Sequence, residues 1–352
     1  MLHKHFDDER YDMEERSSFY SVVTALMISI MCCTAVQAEV GVLCSGGINR
    51  NLTLVSCDLE DAGIVYGKEV GGLGVGIAPS FTVSGKVALV VHMGAGGPMG
   101  KMGKGKSLYY RVGEVGDTGI VWGGDEAGKA HTYDKKGRYG YAAHDGETVV
   151  EVHEGKGLQY FVGKIDTEMK TVEWGKSKKY AKRGWQPSVA LSGNHLVEVH
   201  KGVVGKLATA KHGLKYHVGV LNKEKRSVDW GEAYEIGPRG DDPSVATNGE
   251  AVAIVFESGL RTVGYRVGIL NKGKRTIDWG EDKHFSVMAV GASIAMNDGQ
   301  VLVSYEMVKD LAGTGVGLAS KTGKVNLETK TIEWKDIQES EVYAGSPSIC
   351  VY

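Results

Sequence analysis

The chain repeats itself. GWQPSVALSGNHLVEVHKG at 184–202 and DDPSVATNGEAVAIVFESG at 241–259 align without a gap. The same frame runs Pro79 to His92, Gly140 to His153, Pro187 to His200, Pro243 to Phe256 and Ala292 to Tyr305, each thirteen steps long, and Pro347 begins a further copy. Between copies lies a second signature in which Gly163 to Trp174, Gly219 to Trp230, Gly268 to Trp279 and Gly323 to Trp334 are each eleven apart, with Trp122 and Tyr66 at the matching places. Each unit of roughly fifty residues holds four short β-type runs separated by turn signals, such as PSVAL, LVEVH, LKYHVGVL and RTIDWG. One such unit is a four-stranded blade, which cannot bury both faces alone and so must stack on its neighbours around an axis.

The fold expected is therefore all-β, a six-bladed β-propeller of antiparallel blades over residues 39–352. Small residues such as Ser188, Ala190, Ser244 and Ala246 suit the crowded innermost strand. Pro347 to Tyr352 supplies an innermost strand, and EVGVLCSGG, NLTLVSCDL and GIVYG supply the other three, so N- and C-terminal strands are expected to share one blade and leave no open edge. Register counting sets Cys350 opposite Gly41 and Cys57 near Val40, so neither faces Cys44, and a disulfide there needs a register shift.

Composition narrows the function classes. With 41 Lys plus Arg against 43 Asp plus Glu the chain is near neutral, which argues against a polyanion-binding surface. The 51 glycines accompany only 6 prolines and 42% apolar residues, which excludes collagen and disorder. Residues 1–38 read as an N-terminal extension with a signal peptide: an apolar stretch from Val22 to Cys33 ends in Val36-Gln37-Ala38, a small-residue cleavage pattern. Lys4, Arg10 and Arg16 are outnumbered by six acids between Asp7 and Glu15, so Met13 is an alternative start. A secreted product is expected, with anchoring by an uncleaved segment as the alternative. Asn51 heads the sequon Asn51-Leu52-Thr53, a candidate glycosylation site.

Several motifs invite chemistry. Gly100 to Ser107 fits the phosphate-binding loop expression, but a strand follows it rather than a helix. Glu151 with His153, and Glu198 with His200, share a strand face, yet His92, Phe256 and Tyr305 hold the same last position in other copies. That variation reads as packing, so no metal and no cofactor is expected. Trp122, Trp174, Trp230, Trp279 and Trp334 can pack between blades or stack sugar rings, with Asp229 and Asp278 beside them to accept sugar hydroxyls. Arg183, Trp185 and Arg239 stand with Arg138, Tyr139, Asp241 and Asp242 where the inner strands begin. Those acids are expected on loops, the only place for a catalytic pair. Arg239-Gly240-Asp241 is also an integrin-type tripeptide.

The blade pattern, a PSVAL-like strand, an LVEVH-like strand, an aromatic strand and a Trp-ending strand, resembles the bacterial fucose-binding propeller lectins, although those commonly have seven blades. The resemblance implies multivalent, calcium-independent binding of glycans or glycoproteins between blades. Ser227-Val-Asp229-Trp-Gly231-Glu-Ala-Tyr234 also looks like the Asp-box of sialidases, a folding motif. The function expected is a secreted carbohydrate-binding propeller; a sialidase-like hydrolase or an extracellular protein-interaction platform are the alternatives.

Overall fold

The computed structural model describes Glu39 to Val351, apart from 47–50, 61–62, 71–72, 74, 95–106, 117–118, 125–128, 205–210, 238, 260, 309–314 and 341–344. The signal segment and the phosphate-loop-like stretch at 100–106 lie outside the described residues. Every regular element among the described residues is a strand, and all pairings are antiparallel. Short β-branched-rich runs bounded by turn residues account for this: in Thr148–Gly155 and Ala251–Glu257 nearly every side chain is buried, as expected of strands covered on both faces.

One sheet shows the plan. Trp185–Ser192, His195–Val204, Lys211–Asn222 and Ser227–Trp230 follow one another along the chain and pair in sequence order. Past Gly231 the chain returns to the same third strand as Tyr234–Gly237, so the outer strand is split in two. Part of the connection expected after each Trp is thus still in the sheet. The sheets at 76–134 and 138–181 repeat this plan. A larger, eight-stranded sheet consists of two such units, joined because Lys283–Asn297 pairs at its start with Thr262–Asn271 and further on with Gln300–Val308. The remaining sheet has the order Gly345–Val351, Glu39–Gly46, Asn51–Glu60, Gly63–Val70. Closure by distant strands is present, with Cys350 opposite Gly41 and Cys57 opposite Val40 as counting from the sequence requires.

The first strands of successive sheets pack side by side: Gly76–Ser84, Arg138–His144, Trp185–Ser192, Asp241–Thr247, Lys283–Asn297 and Gly345–Val351, the last returning to the first. This neutral-looking row has a polar seam. Phe81 N–H donates to Ser348 Oγ at 2.8 Å, Ala142 N–H to Ser80 at 3.0 Å, Val245 N–H to Ser188 at 3.2 Å, Ile294 N–H to Ser244 at 3.2 Å and Ile349 N–H to Ser293 at 3.3 Å. The serine of PSVAL is therefore more than small; it satisfies the buried amide of the next strand. Tyr141 occupies the serine position in its own copy and interrupts the chain of bonds.

Apolar clusters fill the space between sheets, for example Val197, Val199, Tyr216 and Val218 against Val245, Val252 and Ile254. The Gly-to-Trp spacing has a steric origin. Gly163, Gly219, Gly268 and Gly323 lie directly opposite Trp174, Trp230, Trp279 and Trp334 on adjacent strands. A Cβ on Gly163, Gly219, Gly268 or Gly323 would stand 3.0, 2.8, 2.8 or 2.9 Å from Cε3 of the facing indole, so the ring lies flat only across a glycine.

Candidate functional site

Each inner strand begins with a bulge. Trp185 pairs with Lys201 and Ser188 with Val199, so Gln186 and Pro187 oppose His200 alone. The same two-against-one arrangement recurs with Ala78-Pro79 against His92, Tyr139-Gly140 against His153, Asp242-Pro243 against Phe256 and Gly291-Ala292 against Tyr305. The thirteen-step spacing of Pro to aromatic ring is the sequence trace of this bulge. Its first residue takes the left-handed conformation in every case, with φ of 47° at Ala78, 49° at Tyr139, 51° at Gln186, 43° at Asp242 and 59° at Gly291. Glycine is the residue that suits such a bulge. Tyr139, Gln186 and Asp242 keep side chains there at a backbone cost of about 1–2 kcal/mol each, and bulges of this kind re-aim side chains.

The side chains so aimed line one cavity. About 220 Å³ in volume, it is bounded by Ala78, Tyr139, Tyr141, Gln186, Asp242 and Pro347, among others. It adjoins a second, of about 190 Å³, that runs between the inner strands and shares Tyr141, Ser244 and Ser293 with it. Together they follow the axis around which the inner strands are arranged, and the first forms its mouth.

Around the mouth, the residues after the ring positions are Glu154, Lys201, Glu257 and Glu306, which pair across the bulges with Arg138, Trp185, Asp241 and Val290. Gln186 ties the group together: its backbone N–H donates to Glu154 Oε1 at 2.7 Å, its amide NH2 donates to Asp242 Oδ1, and its amide oxygen accepts from Asp242 N–H at 3.4 Å. Lys201 pairs with Asp241. Burial, with Asp241 alongside, holds the Asp242 carboxyl above the ordinary carboxylate range, offset in part by Lys201 and Gln186. Burial likewise raises Glu154, Glu257 and Glu306, against the pull of the Gln186 amide on the first and of Arg261 on the other two. The Tyr139 phenol is raised by burial and by Glu154 and Asp242. The arrangement offers hydrogen-bond acceptors, among them carboxyls of raised proton affinity, next to a phenol and an amide.

The residues singled out by sequence are divided by the structure. Asp241 and Asp242 are in the strand Asp241–Thr247 and not on a loop, which corrects that expectation. Trp185, 38% exposed, precedes Gln186 and meets His212 edge-on at 5.4 Å. Arg183 and Arg239 are exposed on the connections leading to the inner strands. Asn51 opens a strand opposite Gly46. Tyr141, Gln186, Glu154, Glu257 and Glu306 were not legible as site residues; the one signal was variation at the position before Pro in otherwise matching copies.

The tryptophans do not form open platforms. Trp174 stacks on Tyr133 at 4.8 Å and meets Tyr110 of the preceding sheet edge-on at 5.6 Å; Trp230 repeats this with Tyr180 at 5.0 Å and Tyr160 at 5.9 Å. Trp279 meets Tyr216, Trp334 meets Tyr265, and Trp122 packs near Phe81. The flanking acids are engaged as well: Glu173 by Arg226 at 2.8 Å, Asp229 by Arg275 at 2.7 Å and Asp278 by Lys330 at 2.7 Å, each cation coming from the next repeat.

No family model and no curated protein matches the sequence. Solved structures do resemble it. A functionally unknown protein from Desulfotomaculum acetoxidans aligns with TM-score 0.52 at 9% identity, over 89% of this chain and 89% of that one. The periplasmic gluconolactonase of Pseudomonas aeruginosa gives 0.46 at 10% identity over 89% and 99%, and a putative 6-phosphogluconolactonase from Bacteroides fragilis 0.48 at 11% over 91% and 98%. Likeness at these identities extends to the propeller-like fold alone. The expectation of a lectin with sugar sites between blades is overturned by the geometry, because the indoles assigned to sugars are packed against aromatic rings of the neighbouring sheet and the acids beside them are held in ion pairs.

Proposed function

We propose that the chain is a six-bladed propeller, exported from the cytoplasm, that binds a small cationic ligand such as an amine or guanidinium compound at the mouth of its axial channel. The side-by-side order of the six inner strands supports the blade count, and the Val22 to Ala38 segment supports export. One observation carries the ligand class. Tyr139, Gln186 and Asp242 are held in left-handed bulges at the cavity, beside carboxyls whose proton affinity is raised by burial. Such carboxyls are relieved by a bound cation, and an anion would add to their repulsion. A cavity of about 220 Å³ has room for a ligand at the small end of the small-molecule range.

Thermal-shift and calorimetric titration of paired amines and carboxylates of matched size tests the reading. An amine is expected to raise the melting temperature, and Asp242→Asn to weaken its binding about tenfold, as loss of one charge-assisted hydrogen bond does. Stabilisation by the carboxylate of each pair, or equal amine affinity in Asp242→Asn, refutes it.

A further inference from the structure

A second cluster lies between the second and third strands of one sheet. Glu198 and His200 share a face of His195–Val204, and His217 stands directly opposite Glu198 on Lys211–Asn222. All are buried, at 0%, 2% and 5% exposure. One donor atom from each lies within 4.8 Å of the other two, and among the described residues this is the one place where three such side chains converge.

His217 is held by one of its two ring nitrogens. Its Nδ1 donates to the Gly231 carbonyl at 3.0 Å, which fixes the tautomer and leaves Nε2 as a bare lone pair. That Nε2 is buried and has no hydrogen-bond partner. Packing does not require it. In the preceding repeat Phe161 stands opposite Glu151 in the same register, and His153 stacks on Phe161 at 5.4 Å as His200 stacks on His217 at 5.6 Å. Tyr133 donates to Glu151, and Tyr180 to Glu198, both at 2.9 Å. The two repeats thus share a Tyr–Glu–His group, and the second differs by replacing an apolar ring with one that carries an unsatisfied nitrogen. An orphan of this kind needs a partner.

We infer that Glu198, His200 and His217 form a binding site for a transition-metal dication of the zinc type. Two imidazoles and a carboxylate are the donor set that zinc takes, with a fourth position open. The Gly231 carbonyl on His217 and the Tyr180 hydroxyl on Glu198 are the outer contacts that orient such ligands. Calcium and magnesium, which prefer all-oxygen sites, do not compete. Its three residues are not among those that line the axial mouth, and the inference does not depend on what binds there.

The test is to unfold the protein in guanidinium with chelator, refold it with zinc chloride, remove unbound metal and count zinc per chain. The full chain is expected to hold about one zinc and to melt higher with it. His217→Phe copies the preceding repeat, so it should fold and melt like the metal-free parent yet hold no zinc. Phe161→His completes the same three donors in that repeat and should bring the count to about two. A parent that refolds without retaining zinc, or a His217→Phe variant that retains as much as the parent, overturns the assignment.

Discussion

Gly219→Ala adds one methyl group where the structure has no room for it. The new Cβ would lie 2.6 Å from Val228 Cγ1 and 2.8 Å and 3.0 Å from Cε3 and Cζ3 of Trp230. Val228 and the indole are wedged against the preceding sheet, where Trp230 meets Tyr160 and stacks on Tyr180. Forcing a methylene into such a core costs about 1–3 kcal/mol. Displacing the indole gives up aromatic pairing worth about 0.5–1.5 kcal/mol per ring pair. A loss of about 3 kcal/mol is expected on combining these two contributions, large beside the 5–15 kcal/mol that typically separates folded from unfolded. Guanidinium titration followed by tryptophan fluorescence reads both the midpoint and the environment of the ring. Gly193→Ala is the control: its φ is 57° and nothing lies within 4 Å of an added Cβ, so it pays only for left-handed backbone, about 1 kcal/mol. Combining Gly219→Ala with Trp230→Leu should cost less than the sum of the two single changes, because the contact with the ring is removed while that with Val228 stays. If Gly219→Ala costs no more than Gly193→Ala, or the double variant is simply the sum of its parts, the steric reading of the Gly-to-Trp spacing is wrong.

Ser188→Ala should cost about 1–3 kcal/mol in the same assay, since it leaves the buried Val245 N–H without its 3.2 Å acceptor; an unchanged midpoint would show that the serine seam is dispensable. Ending the chain before Gly345 removes the strand that pairs with Glu39–Gly46 and packs against two inner strands, and should abolish cooperative unfolding in calorimetry. Ala78→Gly relieves a left-handed alanine and should stabilise by about 0.5–1 kcal/mol; destabilisation would mean that the bulge carries no strain. His144 is pulled down to about 4 by burial, against the Thr82 carbonyl and Asp145. The unfolded chain therefore binds the extra proton between pH 6.5 and 4, and this contribution to stability is complete above 6.5 and lost as pH falls through 4. His144→Gln should flatten the fall in stability over that window by about 1.4 kcal/mol per pH unit, and a parallel pH profile would refute the assignment.

The sequence by itself determined the blade. Hydrophobic alternation and turn residues act over a few positions, so four strands per repeat, the shared closing sheet and the pairing of Cys350 with Gly41 could all be counted from the chain. The Pro-to-ring and Gly-to-Trp spacings were visible for the same reason: each records two residues brought together within one sheet. Tertiary structure decided what those residues do. Trp230 next to Asp229 reads first as packing between blades and also as a sugar platform, and only the neighbouring sheet, which brings Tyr160 to the ring, and Arg275, which reaches the carboxylate, decide between them. The axial mouth was hidden for a related reason. Gln186 and Asp242 are 56 residues apart and meet because their strands are neighbours around the axis, and their left-handed backbone is unannounced where the residue is not glycine. His217 likewise gains meaning only opposite Glu198, across a strand pair whose register no single segment contains. Local periodicity fixes which face a side chain takes, whereas the identity of the group it meets depends on how the blades close into a ring.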